Sequence, residues 1–376
     1  MSEKILVKDK EDQSASSVVA PRSEKVLMKG NEAIGHAAIR AGCLYYFGYP
    51  ITPQSELPEF MAKELPKHNG IFLQAESEIA SVNMVYGASA SGVRAMTSSS
   101  SPGFSLKQEG ISYLAAGELP CLLVNVQRGG PGLGTIQPGQ ADYFQATKGG
   151  GHGDYRLLVL APDSVQEMYD LTILGFELAD QYRIPALLLA DGALGQMMEA
   201  VRMEREVKPQ PEKPWAVTGR HGRKTLNIVQ TLSLNKDTLE EHNRVLQAKY
   251  ALLRENEVRY EAVHTEDADL IIVAYGISAR IAKSAMAKAR AEGLKVGVFR
   301  PITLYPFPEK ELLALAATTK AFLVTELNCG QMVEDVERVT HSQKPVHFYG
   351  RTGGNLPSTE EIYEQIVQTM SGKRGE

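Results

Sequence analysis

In QAESEIASVNMVYGASASG, Glu76 and Glu78 stand where an apolar strand pattern gives way to a helical one. A carboxylate at such a junction is a candidate for chemistry. It is equally a first-turn acid that complements the helix dipole, worth about 0.3–1 kcal/mol. GYPITPQSE, Gly48 to Glu56, holds a similar junction. Unpaired backbone N–H groups at a helix start, with the hydroxyls of Thr52 and Ser55, suit an anionic or polar group, and the same residues would also make a proline-stiffened turn with a cap. In TSSSSPGFSLKQEGISY, Thr97 to Ser101 end a strand, Pro102 stands near a helix start and Gly103 lets a backbone come close to a ligand. Those hydroxyls line a polar pocket or cap a helix. Arg128 directly follows an apolar strand, which puts its guanidinium at the carboxyl edge of a sheet, for a bidentate carboxylate contact or a surface ion pair. It belongs to the glycine-rich stretch Val126 to Arg156, too rich in glycine to be a packed element. There His152 is a proton carrier or a loop residue bonded to backbone.

The elements that must position these residues form an α/β pattern. From Glu24 to about Glu206, short apolar runs alternate with helical periodicity, as in a parallel sheet covered on both faces. Strands are expected at Leu44 to Tyr49, Gly70 to Ala75, Val93 to Ser98, Cys121 to Gln127, Arg156 to Ala161 and Pro185 to Ala190, enough for a doubly wound domain. Asn31 is the expected cap of the helix NEAIGHAAIRAG. Residues 207–268 lose the alternation: a proline-bearing stretch and a polar segment precede one long helix, with Asp237 as its expected cap and a bridge between domains as its plain role. Residues 269–376 resume it in a smaller α/β domain, with strands in LIIVAYG, KVGVFRP, AFLVTE and PVHFYG. There Glu326, Asn328 and Gln331 occupy another strand–helix edge, and Ser358 caps the last helix; structural roles explain both.

At 376 residues with 43% hydrophobic content the chain can bury more than one core, since single cores stop growing at roughly 250–300 residues. Acidic and basic residues are intermixed, with a net charge of -5 and no basic stripe, so nucleic acid is not an expected partner. Cys43, Cys121 and Cys329 are far apart, which rules out a disulfide framework or a C-x-x-C cluster site and points to a reducing compartment. Residues 1–24 mix charge and serine without the apolar core of a signal peptide and read as a disordered leader. No apolar run reaches the ~18 residues of a membrane span, so the expectation is a soluble cytoplasmic protein. There is no Walker-type phosphate loop, and GGPGLG does not match the dinucleotide fingerprint, which weakens an NAD-linked dehydrogenase.

Taken in order, KGNEAIGHAAIRAGC, GYPITPQSELPE, ESEIASVNMVYGASASG, TSSSSPGFSLKQEGISYLAAGELP, VQRGGPG and GGGHGDYR resemble the α-type subunit of 2-oxoacid:ferredoxin oxidoreductases. The resemblance runs from Val26 to the last helix, and GGGHGDYR is most similar to subunits that oxidise 2-oxoisovalerate (3-methyl-2-oxobutanoate). It implies a thiamine-diphosphate-binding, pyrimidine-type doubly wound domain over residues 25–206 and a transketolase C-terminal-like domain over 269–376. The cofactor would be shared with a β-type subunit. Mg²⁺ and [4Fe-4S] clusters would sit on partners, including a γ-type subunit and a ferredoxin-like subunit. By the same resemblance Glu78 would hydrogen-bond N1′ of the aminopyrimidine and favour loss of the thiazolium C2 proton. Thr52, with Pro50 and Ile51, would face cofactor or substrate, Ser101 and Gly103 would line the cofactor site, and Arg128 would hold the substrate carboxylate. The implied reaction turns a 2-oxoacid and coenzyme A into acyl-CoA and CO₂, with electrons passing to external ferredoxin. The rival readings are a 2-oxoglutarate or pyruvate oxidoreductase subunit and a non-catalytic scaffold.

Overall fold

The computed structural model describes residues 25–371, and the expected leader lies outside them. Along that chain the strands are β1 (Val26–Lys29), β2 (Tyr45–Gly48), β3 (Ile71–Gln74), β4 (Ala95–Ser99), β5 (Cys121–Gln127), β6 (Leu158–Leu160) and β7 (Pro185–Asp191). They continue as β8 (Met198–Val201), β9 (Tyr260–Val263), β10 (Leu270–Val273), β11 (Val296–Pro301), β12 (Thr303–Tyr305), β13 (Ala321–Glu326) and β14 (Val346–Gly350). The larger sheet has seven strands in the order β12-β6-β7-β5-β4-β2-β3, parallel except where β12 joins its edge. The smaller has five, β14-β13-β10-β11-β9, parallel except at β9.

Strand alternation explains how one chain makes two cores on one sheet. In β5, Leu122, Val124 and Val126 pack with Ala33, Ile34 and Ala37 of the helix Gly30–Arg40 and with Met168 and Tyr169 of the helix Val165–Tyr182. Cys121 and Leu123 face the other way, onto Val82 and Val85 of the helix Glu78–Ala90 and Ile111 and Leu114 of the helix Gln108–Ala116. Each such side chain contributes roughly 1.5–3 kcal/mol on leaving water, more than helix propensity supplies at any one position. β10 does the same for the smaller sheet: Leu270 and Ile272 pack with Ile362 and Ile366, while Ile271 and Val273 enter the cluster that holds Leu123. The two sheets therefore share a core.

Several elements differ from the sequence expectation. β9 lies inside the stretch expected to be linker and completes the smaller sheet, while β12 crosses to the larger one. β1 and β8 form a separate antiparallel pair. These strands are too short to print an apolar run. The helix Gly30–Arg40 is not capped by Asn31: Glu32 accepts the Lys29 N–H at 2.9 Å, and Asn31 sits buried inside the first turn. Its amide donates to the Pro53 carbonyl and to Glu56, both at 2.9 Å, which ties this helix to the loop after β2. The long helix is Lys236–Asn256, capped by Asn235 rather than Asp237: its side chain accepts the N–H of Asp237 at 2.9 Å and of Thr238 at 3.1 Å. Ser358 caps the last helix as expected, accepting the Glu361 N–H at 3.1 Å while Glu361 returns to the Ser358 N–H at 2.7 Å.

Gln140 fastens the two sheets to each other. Its amide donates to the Tyr275 carbonyl at 2.9 Å and accepts from Ser278 at 2.8 Å and the Leu327 N–H at 3.1 Å, while its main-chain carbonyl accepts from Asn328 at 2.7 Å. Gln140→Ala would leave several of these buried groups unpaired, and we expect a cost on the order of 3 kcal/mol in thermal or urea unfolding. An unchanged unfolding midpoint would show that water replaces the amide. Among the described residues no helix is long and apolar enough to cross a membrane.

Candidate active site

Glu78 opens the helix Glu78–Ala90, with Ser77 as cap: the Ser77 hydroxyl accepts the Ala80 N–H at 3.2 Å. Of the two acids at this junction, Glu76 is exposed and Glu78 is 6% exposed. The main-chain oxygen of Glu78 takes the hydrogen bonds, from Ser81 at 2.9 Å and Lys107 at 3.5 Å, and among the described residues its carboxyl has no donor. Gly103 packs directly on that carboxyl. A Cβ there would lie 2.3 Å from Glu78 Oε1 and 2.3 Å from Ser99 Oγ. The hydroxyls of Ser99 and Ser100 are buried without a partner, and no side chain caps the helix Ser101–Leu106. An unbonded carboxyl and unbonded hydroxyls, packed around a glycine, form a cluster of polar groups that the chain's own contacts leave unsatisfied.

Beside it, Ser101, Asn125, Asp142 and Arg128 form a second cluster at the carboxyl ends of β4 and β5. Ser101 Oγ donates to Asp142 at 2.6 Å and accepts the Arg128 N–H at 3.1 Å, and Asn125 donates to Asp142 at 2.9 Å. Burial pushes the Asp142 carboxyl above its ordinary range, against the hydrogen bonds of Ser101 and Asn125. Arg128 is 9% exposed, and its terminal nitrogens donate to main-chain carbonyls, Thr52 at 3.0 Å and Leu133 at 2.7 Å. Its Nε is buried without a partner. A guanidinium bonded to carbonyls rather than to a carboxylate keeps its charge for an anion.

The structure thus brings together Thr52, Ser101, Gly103 and Arg128, with Glu78 at the far side of Gly103. Thr52 itself is exposed in the loop after β2, as is Pro50, and Ile51 is half-buried beside them. His152 is exposed on its glycine loop, outside these contacts. Glu326 is structural: it accepts the N–H groups of Gln331, Met332 and Val333, at 2.9–3.2 Å. Asn125, Asp142 and Lys107 were not singled out by the sequence. Lys107 followed a serine-rich turn into a helix, where a lysine usually reads as solvated. Among the described residues no three His, Cys, Asp or Glu converge as a metal-holding group.

This cluster also carries a prediction. Gly103→Ala would force both the Glu78 carboxyl and the buried Ser99 hydroxyl aside, because the new Cβ falls on those two side-chain ends and not on backbone. We expect a folded protein with cofactor affinity reduced about tenfold or more, read by titration, as a misplaced hydrogen-bonding group costs about 1.5–3 kcal/mol. Unaltered affinity would show that nothing binds against Glu78.

Comparison with known proteins places this geometry. Residues 36–266 match the family model described as pyruvate flavodoxin/ferredoxin oxidoreductase, thiamine diphosphate-binding, and residues 268–362 match pyruvate:ferredoxin oxidoreductase core domain II. The chain belongs to the 2-oxoacid:ferredoxin oxidoreductases. It is 53% identical over 342 residues to the ketoisovalerate oxidoreductase subunit VorB of Methanothermobacter marburgensis, covering 90% of this chain and 96% of that one. It is 39% identical over 364 residues to the 2-oxoglutarate synthase subunit KorA of Methanocaldococcus jannaschii, covering 90% and 98%. Among solved structures, 2-oxoglutarate:ferredoxin oxidoreductase from Magnetococcus marinus, with 2-oxoglutarate, coenzyme A and succinyl-CoA bound, superposes with a TM-score of 0.84 at 30% identity. That match covers 92% of this chain, which spans 65% of the longer one. A split-gene transketolase at 15% identity and TM-score 0.57 shares the fold.

As a 2-oxoacid:ferredoxin oxidoreductase subunit, the chain carries a thiamine-diphosphate-binding domain and a smaller α/β domain. Its residues suit that cofactor. The buried, unbonded Glu78 carboxyl can meet a ring nitrogen, Gly103 lets the backbone pack against that carboxyl, and Ser99 and Ser100 offer unpaired hydroxyls.

Proposed function

We propose that this subunit binds the aminopyrimidine of thiamine diphosphate through Glu78 and takes part in the CoA-dependent oxidative decarboxylation of 2-oxoisovalerate. The observation that carries the cofactor role is the Glu78 carboxyl, enclosed yet unbonded beside the glycine floor. When bound, thiamine diphosphate supplies a nucleophilic carbon for the 2-oxo carbonyl and a sink for the electrons that CO₂ leaves behind. Glu78 exchanges a proton with ring nitrogen N1′, in a site where burial strengthens that hydrogen bond. Ser101 and Gly103 line the cofactor, and Pro50, Ile51 and Thr52 form the rim that faces cofactor and substrate. Arg128, held in place by the Thr52 and Leu133 carbonyls, supplies the positive charge for the substrate carboxylate. Mg²⁺ and the [4Fe-4S] clusters belong to β-type, γ-type and ferredoxin-like partner subunits, which pass electrons to external ferredoxin in the cytoplasm. Residues 25–206 and 269–376 supply most of the two units, with β9 from the stretch 207–268 completing the smaller sheet and β12 from 269–376 joining the larger.

The branched substrate is favoured by the 53% identity to a ketoisovalerate oxidoreductase subunit, against 39% to a 2-oxoglutarate synthase subunit. The decisive experiment isolates the complex through a tag on this chain and measures CoA-dependent viologen reduction with 2-oxoisovalerate, 2-oxoglutarate and pyruvate. Fastest turnover on the branched acid supports the reading. Preference for 2-oxoglutarate or pyruvate replaces the substrate and leaves the cofactor role standing. A chain that isolates alone and without activity returns it to the scaffold reading.

A further inference from the structure

Lys107, at the joint between the helices Ser101–Leu106 and Gln108–Ala116, is 0% exposed. Its Nζ donates to Thr97 Oγ1 at 2.9 Å, to Ser81 Oγ, and toward the main-chain oxygen of Glu78 at 3.5 Å. These acceptors are neutral. A buried ammonium normally needs a bonded carboxylate or must give up its proton, and burial does pull Lys107 down to about 7, with Glu78 pulling the other way. A methionine would fill the space without that cost. A side chain that lowers stability beside unbonded polar groups points to function.

The contacts say which function. Ser81 donates to the Glu78 carbonyl at 2.9 Å, so Lys107 grips the turn that aims the Glu78 carboxyl. Gly103, on the same short segment, presses on that carboxyl from the other side. Glu78 is the charged group that bears on Lys107, and its other neighbours are the hydroxyls of Ser81 and Thr97.

We propose that Lys107 is a positioning residue for Glu78: its Nζ, tethered by Ser81 and Thr97 and reaching the Glu78 main-chain oxygen, holds the turn that aims the Glu78 carboxyl. This rests on the reading of Glu78 as the group that meets the aminopyrimidine. The test compares wild type, Lys107→Met, Thr97→Val and Glu78→Gln in the full complex. Two quantities are read: thermal unfolding of the cofactor-free complex, and thiamine diphosphate affinity between about pH 6 and 9.

The stability arm has a defined sign. Folded Lys107 loses its proton near 7 and the unfolded chain near 10.5, so the native state carries the cost of a buried charge below about 7 and is relieved of it as pH rises toward 10.5. Lys107→Met is therefore expected to assemble and to be more stable than wild type, most clearly below about pH 7, with the gain fading at high pH. Its cofactor affinity is expected to drop about tenfold, because the turn that aims Glu78 has lost the Nζ that grips it. Thr97→Val, which keeps the charge and cuts one tether, should move affinity the same way by a smaller factor. Wild-type affinity in Lys107→Met, with Glu78→Gln impaired, would overturn the role of Lys107 and leave that of Glu78. Wild-type affinity in Glu78→Gln would overturn the reading beneath it. If Lys107→Met fails to assemble, wild-type affinity in Thr97→Val overturns the proposal.

Discussion

With Glu78 replaced by glutamine, the assembled complex is expected to lose about 10²- to 10⁴-fold in 2-oxoacid oxidation while keeping its fold. The fold survives because the carboxyl makes no hydrogen bond within it: the hydrogen bonds at this residue fall on its main-chain oxygen, and the cap of the helix is Ser77. Glutamine has the same shape and can still hydrogen-bond a ring nitrogen. It cannot exchange a proton at that position, so the loss should appear in kcat and in the rate at which bound thiamine diphosphate exchanges its C2 proton. Normal C2 exchange in the glutamine variant would end the assignment.

Arg128→Met is the second large effect, and it falls on substrate. The guanidinium is nearly enclosed, its terminal nitrogens bond only main-chain carbonyls and its Nε has no partner, so its charge is uncompensated by any bonded carboxylate among the described residues. Truncating one partner of a buried, hydrogen-bonded charge pair costs about 2–5 kcal/mol, so kcat/KM should fall by about 10²-fold or more. KM should carry most of the change, with C2 exchange in the absence of substrate near the wild-type rate. Arg128→Lys, which restores charge without the planar fork, should recover part of the loss. Unaltered KM in the methionine variant would move carboxylate recognition elsewhere.

Much of this arrangement is legible in the sequence, for a physical reason. Strands buried on both faces are long apolar runs, so β5 falls on the expected Cys121 to Gln127 and β7 extends the expected run only to Asp191. The residues at their carboxyl ends are where a parallel sheet meets its ligands, which is why Arg128 and the serines of β4 stood out. Spacing could not choose between Glu76 and Glu78, because both complement a helix dipole; burial separates them. Short edge strands such as β9 and β12 owe their pairing to distant partners and leave no local period. Two of the three capping expectations, Asn31 and Asp237, missed for a related reason, while Ser358 held. Asn31 was needed to hold the loop after β2, and Asn235 took the place expected for Asp237. Lys107 escaped notice because its enclosure depends on Ser81 and Thr97, far from it in sequence.

β12 has a consequence for turnover. After starting the smaller sheet through β9, β10 and β11, the chain steps back to add a strand to the larger one, and only then returns to finish the smaller. Arg300, at the end of β11, meanwhile grips Glu167 of the larger domain with both terminal nitrogens at 2.7 Å and Glu261 of β9 at 2.8 Å. Parting the sheets would tear a strand from one of them and strand a buried cation. The two sheets are therefore fastened into one unit, and opening between them is closed to the subunit as a step of turnover.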